Sequence, residues 1–164
     1  MITLVLGGAR SGKSAYAEKI IEDLGGGIYL ATSRVWDAEM AERVQIHQAR
    51  RNDLWRTVEE PVAIHDIIAN TDKPMLVDCL TLWLSNLMEM EADIDQETEQ
   101  LCRALKMAKQ DVVLVSNEVG LGIVPDNALA RKFRDLAGKI NQTVAQTADR
   151  VIFVAAGLPL TMKE

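Results

Sequence analysis

Short apolar runs recur along the chain at residues 2–6, 28–31, 75–77, 112–115 and 151–155, each closed by a polar or glycine-containing segment. Runs of this length predict buried strands. Between them lie stretches of helical period: Leu129, Phe133, Leu136, Ile140 and Val144 step by 4, 3, 4 and 4 residues, and Ala17, Ile20, Ile21 and Leu24 mark a second such face. Strands that are apolar on both faces and alternate with helices predict a mostly parallel sheet of five or more strands covered on both sides. The reason is that a parallel crossover must be long enough to hold a helix. Residues 54–59 read as a short edge strand before a helix around 62–69. The most acidic stretch, 89–100, predicts a solvated helix entry or turn. No repeat, low-complexity tract or linker breaks the pattern, so residues 1–164 are expected to form a single domain.

The first strand runs directly into Gly7-Gly8-Ala9-Arg10-Ser11-Gly12-Lys13-Ser14, which satisfies G-x-x-x-x-G-K-[ST] and leads into the first helical stretch. Glycines open backbone conformations closed to other residues, so consecutive N–H groups can converge on a phosphate chain. The helix that follows adds the positive end of its dipole. Lys13 is placed to hold the outer phosphates of a nucleoside triphosphate, and the Ser14 hydroxyl to coordinate Mg²⁺. Such a loop needs an acidic partner for the metal at the end of another core strand. Asp78, which ends the run Met75-Leu76-Val77, is that partner; its alternative role is to cap the helix that starts at Leu80. These features define a P-loop NTPase-like α/β fold, with ligands at the carboxyl edge of the sheet.

Composition narrows the function. With 48% hydrophobic and 26% charged residues the chain can bury one core, and 18 basic against 24 acidic side chains leave a charge of -6, which disfavours a nucleic-acid partner. The start of the sequence lacks a signal-peptide pattern, and no apolar run approaches the roughly 20 residues of a membrane span. Two cysteines, Cys79 and Cys102, fall in apolar segments away from metal-ligand spacing, so a reducing cytoplasm is the expected compartment.

Of the two histidines, His65 reads as an ordinary helix residue. His47 lies in a proline- and glycine-free stretch, 38–51, that predicts a helix. Arg43 and Arg51 fall one turn before and one turn after it on the same stripe. An imidazole between two guanidinium groups resists protonation and stays nucleophilic, while the arginines can hold a polyphosphate. Attack on phosphorus by that ring would give a phosphoramidate intermediate. A solvated basic face carrying one histidine is the other reading of the same pattern. The loop from Asn117 to Pro125 follows the strand at 112–115 and should reach the ligand edge, either as a ligand contact or as a structural loop capped by Glu118. Arg131, Lys132, Arg134 and Lys139 are expected on a solvated helix face.

The sequence resembles the bifunctional adenosylcobinamide kinase/adenosylcobinamide-phosphate guanylyltransferase family of cobalamin biosynthesis. The residues that carry the resemblance are the phosphate loop, Tyr29-Leu30-Ala31-Thr32-Ser33, Glu39-Met40 with Arg43 and His47, and Trp55-Arg56-Thr57 with Glu59. Further matches are Val77-Asp78-Cys79-Leu80-Thr81, the block from Ser116 to Pro125, Ala130-Arg131, Phe133-Arg134-Asp135 and Gly138-Lys139-Ile140-Asn141-Gln142. The resemblance implies a GMP-histidine intermediate at His47. It also implies guanine-nucleotide contacts from residues 7–14, from Thr32, Ser33 and Arg34, from Gln48, Ala49, Arg50 and Arg51, and from Glu59 and Asp78. GTP and ATP are the implied substrates, with Mg²⁺, and a homo-oligomer, a trimer, is the implied assembly. Some relatives carry a second histidine where Ile46 stands here, and some carry glutamate in place of Asp78. Two other classes compete with this reading: a plain small-molecule kinase, and a module whose bound nucleotide orders a partner surface.

Overall fold

The computed structural model describes residues 1–34 and 53–164. The strands β1 (Ile2–Gly7), β2 (Gly27–Ala31), β3 (Trp55–Glu59), β4 (Met75–Asp78), β5 (Val112–Asn117), β6 (Arg150–Ala155) and β7 (Leu158–Lys163) form a 7-stranded sheet in the order β3-β2-β4-β5-β1-β6-β7. Between them run α1 (Lys13–Asp23), α2 (Ile64–Ala69), α3 (Leu80–Glu89), α4 (Ile94–Met107) and α5 (Ala128–Thr147). Every pairing from β3 through β6 is parallel, as the continuous apolar runs require, and β7 alone is antiparallel.

Alternation along the strands fills two separate cores. On one side Val5, Tyr29, Leu76, Val113, Val115 and Ile152 pack against Ala17 and Ile21 of α1. On the other, Leu4, Leu30, Val77 and Leu114 meet Leu84 of α3, Leu101 of α4 and Val144 of α5. Burial of each such leucine, isoleucine or valine is worth about 1.5–3 kcal/mol, so neither face tolerates a register slip. The acidic stretch resolves into the end of α3 and the start of α4, where the Asp93 carboxylate accepts from the backbone of Asp95 at 3.1 Å and of Gln96 at 3.0 Å. The edge strand expected at 54–59 is β3.

The sequence did not lead us to expect β7. It is exposed at every position, contains Pro159, and returns from β6 through a turn in which Ala156 and Gly157 both take positive φ, 51° and 77°. That turn geometry favours Asn-Gly, and Ala-Gly carries little of its signal. No described helix is long and apolar enough to cross a membrane.

Parallel strands end on one edge, and that edge collects the candidate residues. Gly7 pairs with Asn117, Ala31 with both Asp78 and Glu59, and Asp78 with Val115. The ends of β1 through β5 therefore form one continuous shelf.

Candidate nucleotide-binding active site

At Gly7 the chain leaves the sheet in a turn too tight for a side chain: a Cβ there would lie 2.5 Å from both Ser11 Oγ and the Val154 carbonyl oxygen. Gly12, at φ 93°, is the N-cap of α1 and supplies no side-chain cap; the first turn carries no acid. Apart from the Lys13 N–H, which donates to Ser11 Oγ at 3.4 Å, the orphan N–H groups of α1 and its positive dipole end are left facing the loop, ready for an anion. Lys13 Nζ donates to the Gly8 carbonyl at 3.3 Å, which folds the ammonium over the loop. Ser14 stands half-buried in the first turn of the helix. The β6–β7 turn braces the loop from outside, with Gly157 N–H donating to the Ser11 carbonyl at 2.8 Å.

Asp78 ends β4, and only β5 separates that strand from β1, a gap of roughly 9–10 Å at two strand spacings. Its side chain shares a sheet face with Leu76, which belongs to the core under α1, so carboxylate and Ser14 hydroxyl approach from one side. The Tyr29 hydroxyl donates to Asp78 Oδ2, and the Tyr29 ring rests edge-on against Trp55 with centroids 5.9 Å apart. Among the described residues Asp78 Oδ1 accepts no hydrogen bond. The capping alternative for Asp78 fails, because Cys79 is the N-cap of α3 and no side chain caps it. No group of three His, Cys, Asp or Glu gathers among the described residues.

Beside the carboxylate, burial and the Asp78 charge push the Cys79 thiol from its usual 9.0 up to about 11. The unfolded chain then loses this proton first, so the stabilisation is complete below about 9 and disappears as pH rises toward 11. Urea midpoints of the wild type are expected to fall across that window, and those of Cys79→Ala to fall less. Equal falls would assign the alkaline loss to other groups.

Thr32 also has a structural duty. Its side chain is fully buried, donating to the Cys79 carbonyl and accepting from the Cys79 N–H, both at 2.8 Å, while its own carbonyl accepts from Asn86. This side chain ties the end of β2 to the end of β4 and keeps one acceptor lone pair. Ser33 and Arg34 stay at the shelf, Arg34 within 3.5 Å of Glu89 at the end of α3. Glu59 is exposed at the end of β3, whereas neighbouring Glu60 is spent on the backbone of Val62 and Ala63. The Asn117 loop is anchored to the phosphate loop, with Glu118 N–H donating to the Gly7 carbonyl at 3.1 Å. Within the loop the Glu118 carboxylate accepts from Gly120 at 2.6 Å.

Three of the basic residues on α5 are not merely solvated: Arg134 pairs with the adjacent Asp135 at 3.1 Å. Arg131 holds the carbonyls of Pro125 and Asp126 at 2.9 and 2.7 Å, and Lys139 holds Asp95 at 2.7 Å. His65 is mostly covered and faces Glu97 of α4 at 3.9 Å. Arg43, His47, Gln48, Ala49, Arg50 and Arg51 lie outside the described residues. Sequence reasoning missed Tyr29 as a partner of Asp78; the one available signal was a tyrosine within an apolar strand, whose hydroxyl needs a partner when buried.

A parallel sheet, a strand–glycine loop–helix unit and a carboxylate one strand beyond define a phosphate-loop nucleotide-binding protein. Two solved structures share that fold: an ATPase from the type III secretion system of pathogenic bacteria (TM-score 0.55, 13% identity, 98% of this chain and 56% of that one), and a RadB recombinase (TM-score 0.52, 14% identity, 93% and 73%). The chain belongs to the cobinamide kinase / cobinamide phosphate guanyltransferase family, whose model matches residues 3–162. It is 44% identical over 169 residues to the bifunctional adenosylcobalamin biosynthesis protein CobP of Pseudomonas aeruginosa, covering 99% of this chain and 98% of that protein. To the bifunctional adenosylcobalamin biosynthesis protein CobU of Escherichia coli it is 40% identical over 181 residues, covering 99% and 100%.

Proposed function

We propose that the chain catalyses two successive transfers in cobalamin biosynthesis. ATP or GTP first gives its γ-phosphate to the aminopropanol hydroxyl of adenosylcobinamide, releasing the nucleoside diphosphate. GTP then gives GMP to the adenosylcobinamide phosphate so formed, yielding adenosylcobinamide-GDP and pyrophosphate. The observation that carries the reading is the family match over residues 3–162, which spans the phosphate loop, His47 and Asp78.

In the kinase step Lys13 and the N–H groups at the start of α1 stabilise charge on the transferring phosphoryl group. In the second step an imidazole nitrogen of His47 bonds to the α-phosphorus of GTP as pyrophosphate leaves. A phosphate oxygen of the acceptor then bonds to that phosphorus and the phosphorus–nitrogen bond breaks. Arg43 and Arg51 keep the ring neutral and hold the polyphosphate. The nucleotide is held by Gly7 through Ser14, by Thr32, Ser33 and Arg34, by Gln48, Ala49, Arg50 and Arg51, and by Glu59 and Asp78. Ser14 and Asp78 hold Mg²⁺, which when bound offsets phosphate charge.

Residues 1–164 act as one catalytic domain, a reading supported by the single sheet that joins both ends of the chain. The active form is a homotrimer working in the cytoplasm. Exposed Leu158, Leu160 and Met162 on β7 offer apolar surface for the assembly, and two free cysteines suit a reducing compartment.

The test is incubation with adenosylcobinamide, ATP, GTP and Mg²⁺ followed by mass analysis of the corrinoid. Successive appearance of the phosphate and GDP forms is expected. Phosphate alone would leave a plain kinase, and unmodified corrinoid with slow nucleotide hydrolysis would leave a nucleotide-gated module.

A further inference from the structure

A cleft of about 1070 Å³ opens between the end of α3, the start of α4, the Asn117–Pro125 loop and the first half of α5. Its floor is apolar: Met88, Ala92, Ile94, Phe133 and Leu136 sit over the main core with one side uncovered. Val119 and Leu129 form an apolar wall, 39% and 66% exposed. Around the rim stand Glu89 and Glu91 against Lys132 and Arg134. The volume lies at the top of the roughly 300–1,000 Å³ usual for small-molecule sites, and both signs of charge at the rim speak against a second polyphosphate.

Two ties join this cleft to the nucleotide shelf. Glu118 N–H donates to the Gly7 carbonyl at 3.1 Å, so the loop that walls the cleft begins on the phosphate loop. Arg34, one residue from Ser33 on the shelf, reaches Glu89 on the rim at 3.5 Å.

We infer that the cleft between α3, α4 and α5 is the acceptor site, and that its occupant is a corrinoid macrocycle. The inference rests on the function proposed above and adds where the acceptor lies. A flat ring with apolar faces covers Phe133, Leu136 and Ile94, while neutral amide arms at its edge use the mixed donors and acceptors of the rim. An arm ending in a hydroxyl or phosphate then extends past Val119 toward the phosphate loop.

The test titrates cobinamide into the intact protein and reads the corrinoid visible spectrum, for the wild type, Leu129→Glu and Met107→Glu. Leu129 is exposed and its replacement places a charge on the apolar wall. Met107, 81% exposed at the far end of α4, serves as the control. Leu129→Glu is expected to weaken cobinamide binding by roughly tenfold or more, with Met107→Glu matching the wild type. Light scattering on the same samples is expected to give one mass for all three. Wild-type affinity in Leu129→Glu would overturn the cleft as the acceptor site while leaving the proposed function standing. No cobinamide binding by a wild type that binds GTP would overturn the function itself. A lower mass for Leu129→Glu would overturn the inference by making this face a contact between copies of the chain.

Discussion

Replacing His47 with alanine is expected to abolish the covalent GMP adduct that the proposed mechanism requires of the wild-type chain on incubation with GTP and Mg²⁺. The expectation follows from what the ring must do. A phosphoramidate forms only through a neutral nitrogen, and Arg43 and Arg51, spaced four residues to either side, disfavour its protonation. Alanine removes the attacking atom and leaves the phosphate loop intact, so guanylyl transfer is expected to fall by roughly 10³-fold or more, a loss of the order seen when an enzyme nucleophile is deleted. Phosphorylation of adenosylcobinamide, which needs no imidazole, is expected to persist. Intact-protein mass spectrometry checks both variants: the wild type gains the mass of one GMP, acid-labile as a phosphorus–nitrogen bond requires. An adduct of the same mass on His47→Ala would move the nucleophile to another residue. Its absence from a folded, GTP-binding wild type would sink the covalent route.

The parts of this molecule that could be read from sequence are those whose signal is local. The β1–loop–α1 unit declares itself because glycine spacing, Lys13 and Ser14 are fixed by phosphate geometry within a few residues. The buried strands β4 and β5 show as unbroken apolar runs because both faces are covered. Strand β7 gave no such signal: it buries no residue, and its turn uses Ala156 where asparagine would have announced a hairpin. Other features depend on which strands lie side by side. Tyr29 meets Asp78 only because β2 pairs with β4 in the register that sets Tyr29 opposite Leu76. Thr32 entered only through the family resemblance, and the bonds of its hydroxyl to the Cys79 peptide show once β2 lies beside β4. The acceptor cleft was hidden for a related reason. Lys132 and Arg134 read as a solvated face, and only the fold shows Phe133 and Leu136 beside an open volume.

Replacing Lys13 with alanine is expected to lower both transfers together, each by roughly 10²–10³-fold, the order lost when one preorganised charge-stabilising donor is removed. In the proposed mechanism one loop holds the phosphates in both steps, so its lysine would serve the γ-phosphoryl group leaving for the corrinoid and the pyrophosphate leaving from GTP. The ammonium donates a 3.3 Å hydrogen bond to the Gly8 carbonyl from a half-buried position. Its loss is therefore expected to change stability by no more than about 0.5 kcal/mol, as for most surface substitutions, and thermal melts of the variant should overlay the wild type. Lys13→Arg is expected to rescue little, because a planar guanidinium does not fit a position shaped for a compact ammonium between loop and phosphates. The pairing with His47→Ala makes the experiment decisive, since that variant separates the two transfers and this one keeps them joined. The rates to compare are formation of adenosylcobinamide phosphate and formation of the GMP adduct in the same preparations. If Lys13→Ala loses the kinase step but forms the adduct at the wild-type rate, the GTP used for guanylylation binds outside this loop, and the single-site reading of the shelf is wrong.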